Sequence, residues 1–163
     1  MKKKKKRIII VFAFLLLLLG GMTGYFLLKS PHKLSVYDSN AKDYQSKIKK
    51  PEDWPKSKIA FPAYGNVKVL EGTDKLYIAL QNPSFNEANL KYIIYLDEKI
   101  ETKKICETDL IQPGKAITEV DLPKELSKGE HTIYLHTKAF APNDPDTKLN
   151  SFETSFKLTV LEN

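Results

Sequence analysis

Three histidines, one cysteine and a scatter of carboxylates are the groups through which this chain could catalyse a reaction or hold a metal. Their spacing assembles none of the usual devices. His131 and His136 are five apart in a strand-like segment, so they face opposite sides of a sheet and cannot share a ligand, while His32 sits far away in a polar stretch. There is no His-x-x-x-His, no paired cysteine, no Gly-x-Ser-x-Gly and no phosphate-cradling glycine loop. Cys106 is alone between Ile105 and Glu107, has no intramolecular disulfide partner, and is expected to act as a small buried apolar residue. Asn143, Asp144, Asp146 and Asn150 offer oxygen ligands on one loop, but calcium takes about six to eight oxygens, and four side chains around Pro145 more often make a turn. No catalytic, cofactor-binding or metal residue is assigned, and the chain is expected not to be an enzyme.

A different constellation points to binding. In the segment 90–96 the two-residue period puts Leu90, Tyr92, Ile94 and Leu96 on one face and Lys91, Ile93 and Tyr95 on the other. In 131–140, Tyr134, His136 and Phe140 share the outward parity. If those segments are neighbouring strands, Ile93, Tyr95, Tyr134, His136 and Phe140 form one apolar and aromatic patch, the composition of a partner-binding surface. The competing reading is that a peripheral loop, or residues 29–56 with Trp54, covers the patch.

The elements that position this patch read as strands. After Ser57 short alternating segments are separated by Gly, Pro, Asn and Asp, the pattern of an all-β sandwich or barrel. The expected strands are 59–61 with 67–70, then 75–81, 90–96, a weaker 100–107, 116–122, 131–140 and 152–161. Leu76, Ile78 and Leu80 share a face of the second. Asn82 to Asn86 reads as a loop. Gln112-Pro113-Gly114-Lys115 reads as a type II turn. Residues 123–129 read as a single helical turn closed by Gly129. About seven strands in residues 57–163 match one immunoglobulin-like β-sandwich, large enough for a core without cross-links.

The N-terminus sets the expected address. Positions 2–7 are six consecutive basic residues and positions 8–28 carry no charge. About 20 uncharged residues span the hydrocarbon core as a helix, and the basic side stays in the cytoplasm. The expected organisation is a basic cytoplasmic tail at 1–7, a single transmembrane helix at 8–28, a polar stalk at 29–56 and an extracellular domain at 57–163. The alternative is a cleaved secretory signal, whose apolar region is typically about 7 to 15 residues, shorter than this run. Of 26 Lys+Arg and 20 Asp+Glu, six basic residues lie at 2–7, which leaves 20 against 20. The remainder is neutral, so no basic stripe is left for nucleic acid. Arg7 is the only arginine, a lysine bias expected of an AT-rich, Gram-positive genome.

The order Ile59, Pro62 and Tyr64, then Asn82-Pro83 with Asn86, then Ile111, Pro113, Gly114 and Ile117, then Leu122, Leu126 and Gly129, then Leu149-Asn150 resembles a bacterial module. It is similar to membrane-anchored extracytoplasmic Ig-like proteins of Gram-positive bacteria, often encoded on plasmids and other mobile elements. The resemblance covers residues 59–160 and implies fold and location. Family members often carry two cysteines where this chain has Ala88 and Ala139, and a tyrosine where it has His131, which could make a similar corner hydrogen bond. The expected function is a membrane-tethered, non-catalytic interaction module of the cell envelope. Its partners are lipid through the N-terminal helix and another envelope protein in a surface or conjugation assembly, with no cofactor. The alternatives are a module that binds cell-wall carbohydrate and an enzyme of unrecognised type.

Overall fold

The computed structural model of the chain describes residues 36–163. The expected cytoplasmic tail, the transmembrane helix, residues 29–35 of the stalk and His32 lie outside the described residues. Among the described residues no helix is long and apolar enough to cross a membrane. The fold described is all-β.

Ten strands follow in chain order: β1 Lys42–Asp43, β2 Val67–Leu70, β3 Lys75–Leu76, β4 Leu80–Gln81, β5 Asn89–Leu96, β6 Lys104–Glu107, β7 Lys115–Ile117, β8 Val120–Asp121, β9 Gly129–Ala141 and β10 Asp144–Leu161. A five-stranded sheet has the order β2-β10-β9-β5-β6, with β2 parallel to β10 and the other pairs antiparallel. Two smaller sheets are β1-β7-β4 and β3-β8. The count exceeds seven because 75–81 and 116–122 each break in the middle into two short strands, and because β1 was not anticipated. Residues 59–61 are not a strand, and 100–103 make a 3-10 turn over Glu101–Lys103 before β6.

The alternation in β5 and β9 works as period two requires. Leu90, Tyr92, Ile94, Ile133 and Leu135 are fully or almost fully buried, and they join Leu76, Leu80, Ile117 and Val120 from the smaller sheets in a single core cluster. Burying each such side chain stabilises the fold by about 1.5–3 kcal/mol. Tyr92 also ties the two sides together, since its hydroxyl donates to the Gln81 carbonyl at 2.6 Å. Ala88 and Ala139 are both buried in this core as small apolar residues.

Two local expectations are corrected. Residues 36–56, read as stalk, are bonded to the domain: Asp38 N donates to Leu110 O at 2.9 Å, Tyr44 N to Gly114 O at 2.8 Å, and Lys42 and Asp43 pair with Ala116 and Lys115. A polar segment can do this because an edge strand is held by backbone bonds that need no apolar side chain. Trp54, which Pro51 and Pro55 bracket and which the sequence places against the base of the domain, does pack edge-on against Phe85 of the domain with centroids 5.6 Å apart. Second, 123–129 is not helical; Leu126 N donates to Pro123 O in a tight turn, and Gly129 at φ 125° begins β9. The type II turn at 112–115 is present in its marks: Lys115 N donates to Gln112 O and Gly114 has φ 80°.

Candidate functional site

Strands β5 and β9 are neighbours, and their register decides which outward residues meet. Tyr95 stands opposite Tyr134 and Ile93 opposite His136. Lys91 faces Lys138 on the next outward rung, and Asn89 faces Phe140 on the one after. Ile93, Tyr95, Tyr134 and His136 are therefore brought together, whereas Phe140 is separated from them by the lysine rung.

Exposure divides the five differently from the sequence reading. Tyr95, Tyr134 and His136 are partly exposed, but Ile93 is only 6% and Phe140 only 8% exposed. The expectation that all five form an open surface is corrected accordingly. Parity selects the face of a sheet, but not what neighbouring side chains lay over it.

Charged residues flank the Ile93 end of this face. On the β6 side, Tyr95 pairs with Lys104 and Ile93 with Glu107, and Glu107 accepts from Lys91 at 2.9 Å and Lys104 at 2.7 Å. Lys104 also bonds Glu101. On the β10 side, Glu153 stands opposite His136 and Ser155 opposite Tyr134. Lys99 Nζ lies 2.8 Å from Glu153 Oε2 and 5.8 Å from the Tyr134 ring centroid, while His136 Nδ1 is 3.9 Å from Glu153 Oε1. Long lysine stems crossing apolar rings while their ammonium groups reach acids are the expected behaviour of such side chains. The alternating charges in β6 and β10 were visible in the sequence; which of them would meet was not, because register between distant strands is not written locally.

Electrostatics follow this geometry. The bonds from Lys104 and then Lys91 hold the Glu107 carboxyl down at about 2, although burial acts the other way. The bond from Lys99 lowers Glu153 and its own partner raises Lys99. The Lys99–Glu153 pair is half-exposed, and the Lys91–Glu107–Lys104 group is only partly exposed, so screening by solvent discounts the first more than the second.

The remaining candidates from the sequence take structural places. Cys106 is a free thiol facing inward opposite Ile94, beside a cavity of about 380 Å³ that Asp38, Glu107, Glu119 and Asp121 also line. Burial, then the carboxylates of Asp38, Asp121 and Glu107, pushes the thiol up to about 11, so little thiolate exists at neutral pH. Asp144 accepts from Asp146 N at 3.1 Å and Thr147 Oγ1 at 2.6 Å, which spends its oxygens on the hairpin turn. His131 and His136 do lie on opposite faces: His131 is aligned with Leu158 and His136 with Glu153. Among the described residues no group of three or more His, Cys, Asp or Glu could hold a metal.

No protein-family model, curated protein or solved structure matches the chain.

Proposed function

We propose that the chain is a membrane-tethered, non-catalytic interaction module of a bacterial cell envelope. Its all-β domain binds another envelope protein through the outer face of β5 and β9. One observation carries this reading: the cross-strand pair Tyr95 and Tyr134, with His136 beside them, forms a half-open aromatic surface edged by both signs of charge. Aromatic centres with a polar rim are the composition that distinguishes protein interfaces from ordinary surface. Tethering rests on the uncharged run at 8–28 behind six basic residues, and an extracytoplasmic domain follows from that charge asymmetry. An Ig-like sandwich is supported by the parallel pairing of β2 with β10 at the edge of an otherwise antiparallel sheet, and by one core drawn from both sides. Membership of a surface or conjugation assembly rests on the resemblance alone.

Stacking on cell-wall glycan is the weaker reading, because the Tyr134 ring already carries the Lys99 ammonium, which Glu153 holds in place. Photo-crosslinking from position 95 in the native membrane, followed by mass spectrometry, tests the proposal. A protein crosslinked from position 95 but not from Tyr77, the aromatic residue 70% exposed elsewhere on the surface, is the expected result. Equal labelling from both positions counts against a dedicated face. External protease on intact protoplasts tests the orientation and should remove the domain.

A further inference from the structure

The His131 ring bridges two acceptors. Its Nδ1 lies 2.8 Å from Asp97 Oδ2 and its Nε2 2.7 Å from the backbone carbonyl of Ser127. A carbonyl oxygen accepts only, and so does an ionised carboxylate. Neutral imidazole has one N–H, so it satisfies one acceptor and turns a lone pair toward the other. Both bonds form together only when the site holds one further proton, as imidazolium against carboxylate or as imidazole against a protonated Asp97.

The three groups belong to three separate segments. Asp97 follows β5 in the left-handed region at φ 63°, and is fixed there by its own N donating to Thr132 O at 2.8 Å and by Thr132 N donating to its Oδ1 at 2.9 Å. Ser127 belongs to the 123–129 turn, and His131 to β9. They line a cavity of about 380 Å³ whose apolar wall includes Leu96, Ile105 and Leu126. The other charged groups lining it are Lys103 and Lys104 from the 3-10 turn and β6, and Glu125 from the turn itself; β10 contributes the uncharged Leu158 opposite His131. The other ties of the 123–129 turn are one internal backbone bond, Leu126 N to Pro123 O at 3.2 Å, the exposed Lys128–Glu162 ion pair, the packing of Leu126 against the core and the pairing of Gly129 with Val160.

We propose that His131 is a proton-operated latch: with the additional proton bound it clamps the 123–129 turn to the loop after β5, and without it the Ser127 bond or the Asp97 bond is lost and the turn opens the cavity. This device lies at one end of β9 and does not depend on the aromatic face. The balance of forces agrees with it. Burial alone would lower the imidazole's affinity for a proton, but the bonds to Asp97 and Ser127 outweigh burial and raise it above the ordinary 6.5. For Asp97 burial acts upward, and the bonds from His131 and Thr132 outweigh it and lower the carboxyl below the ordinary 3.8. The raised group holds the clamp fully below 6.5 and loses it as pH rises through its folded value; the lowered group loses it as pH falls below 3.8. The latch is thus closed in mildly acidic surroundings and opens toward alkaline ones.

The test uses the full-length protein in lipid nanodiscs, with ¹⁵N imidazole shifts for His131 and amide exchange at residues 124–130 followed across pH. The expected result is a His131 titration above 6.5, with turn protection falling across that same titration. Protection inside β5 should stay constant. Asp97→Asn should bring the titration down and move the protection loss with it, while His136→Gln should change neither. Turn protection that stays flat across the His131 titration overturns the latch, as does a wild-type His131 that titrates at or below 6.5. If Asp97→Asn fails to fold, the wild-type comparison decides alone.

Discussion

Asn86 donates from Nδ2 to Asn82 Oδ1 at 2.9 Å, and through this bond two buried loop side chains join parts of the chain that are far apart in sequence. Asn82 Nδ2 in turn donates to the carbonyls of Ala88 and Ile111, both at 2.8 Å. The Asn86 amide pairs with both backbone groups of Ala60, accepting from its N at 2.8 Å and donating to its O at 2.9 Å. The 82–86 loop thereby ties Ala60, Ala88 and Ile111 together immediately ahead of β5.

Replacing Asn82 by Ala should cost about 3 kcal/mol or more. The substitution takes the Asn82 donor from the buried Ala88 and Ile111 carbonyls and the Asn82 acceptor from one Asn86 N–H, and each unsatisfied buried group costs about 1–3 kcal/mol. Asn86→Ala should cost about 2 kcal/mol, because its partners at Ala60 lie nearer to solvent. Urea midpoints of the single variants measure both; a loss under 1 kcal/mol at Asn82 shows that the network is not what holds the loop.

The face residues should separate by burial. Phe140→Ser should cost about 3–5 kcal/mol, the range for aromatic truncation in a core. Tyr95→Ser and Tyr134→Ser should each cost about 1 kcal/mol, from the cross-strand pair and, at Tyr134, the Lys99 contact. Yet both tyrosine changes should abolish partner capture, Tyr134→Ser read by crosslinking from position 95 and Tyr95→Ser by crosslinking from position 134. Tyrosine losses as large as that of Phe140 would mean that the ring pair serves packing instead of binding.

The legible part of this fold was what periodicity controls. Leu76, Ile78 and Leu80, the two faces of β5 and the outward parity of Tyr134 and His136 all follow from alternation, because each side chain's face depends only on its own strand. Strand β1 was not legible, since two exposed residues held by backbone bonds leave no apolar trace. The burial of Ile93 opposite Glu107 was hidden for another reason: it depends on register between segments far apart in the chain. His131 carried a partial signal, since its place in the resemblance suggested a corner bond, which it makes to Ser127. Asp97 as the second acceptor carried none.

Beginning the chain at residue 57 instead of 36 should destabilise the domain by about 2–4 kcal/mol. It removes the bonds from Asp38 and Tyr44 to the Leu110 and Gly114 carbonyls, the Asp38 acceptor for Asp109 N, and the Trp54 packing on Phe85. Net hydrogen-bond contributions of about 1 kcal/mol each set that scale. Thermal midpoints of the two lengths compare them, and equal midpoints would restore residues 36–56 to the role of a stalk.

Alkaline stability should be governed in part by two phenols. Tyr64 donates to Ala79 O at 2.8 Å and Tyr92 to Gln81 O at 2.6 Å, and burial raises both phenols above their ordinary 10. A raised folded value means that the contribution is complete below pH 10 and is lost as pH climbs beyond it, where the unfolded chain ionises first. Tyr92→Phe should lower stability at pH 7 by about 1 kcal/mol, for one lost hydrogen bond, and should flatten the decline above pH 10. Urea unfolding of both forms from pH 7 to 11 makes the comparison. Parallel declines would assign the alkaline loss to other groups.

Cys106 should react slowly in the folded protein. A thiol raised from 9.0 to about 11 holds roughly a hundredfold less thiolate near pH 8, at tenfold for each unit, and the thiolate is the reacting form. Labelling by a small disulfide reagent should therefore run about a hundredfold slower in native protein than in urea. Reductant should leave the thermal midpoint unchanged, because no partner thiol exists in the chain. Fast native labelling would show that the cavity beside β6 admits the reagent and that the acids lining it do not suppress the thiolate. In that case Cys106 would stop being a packing residue and become the most reactive group on the domain.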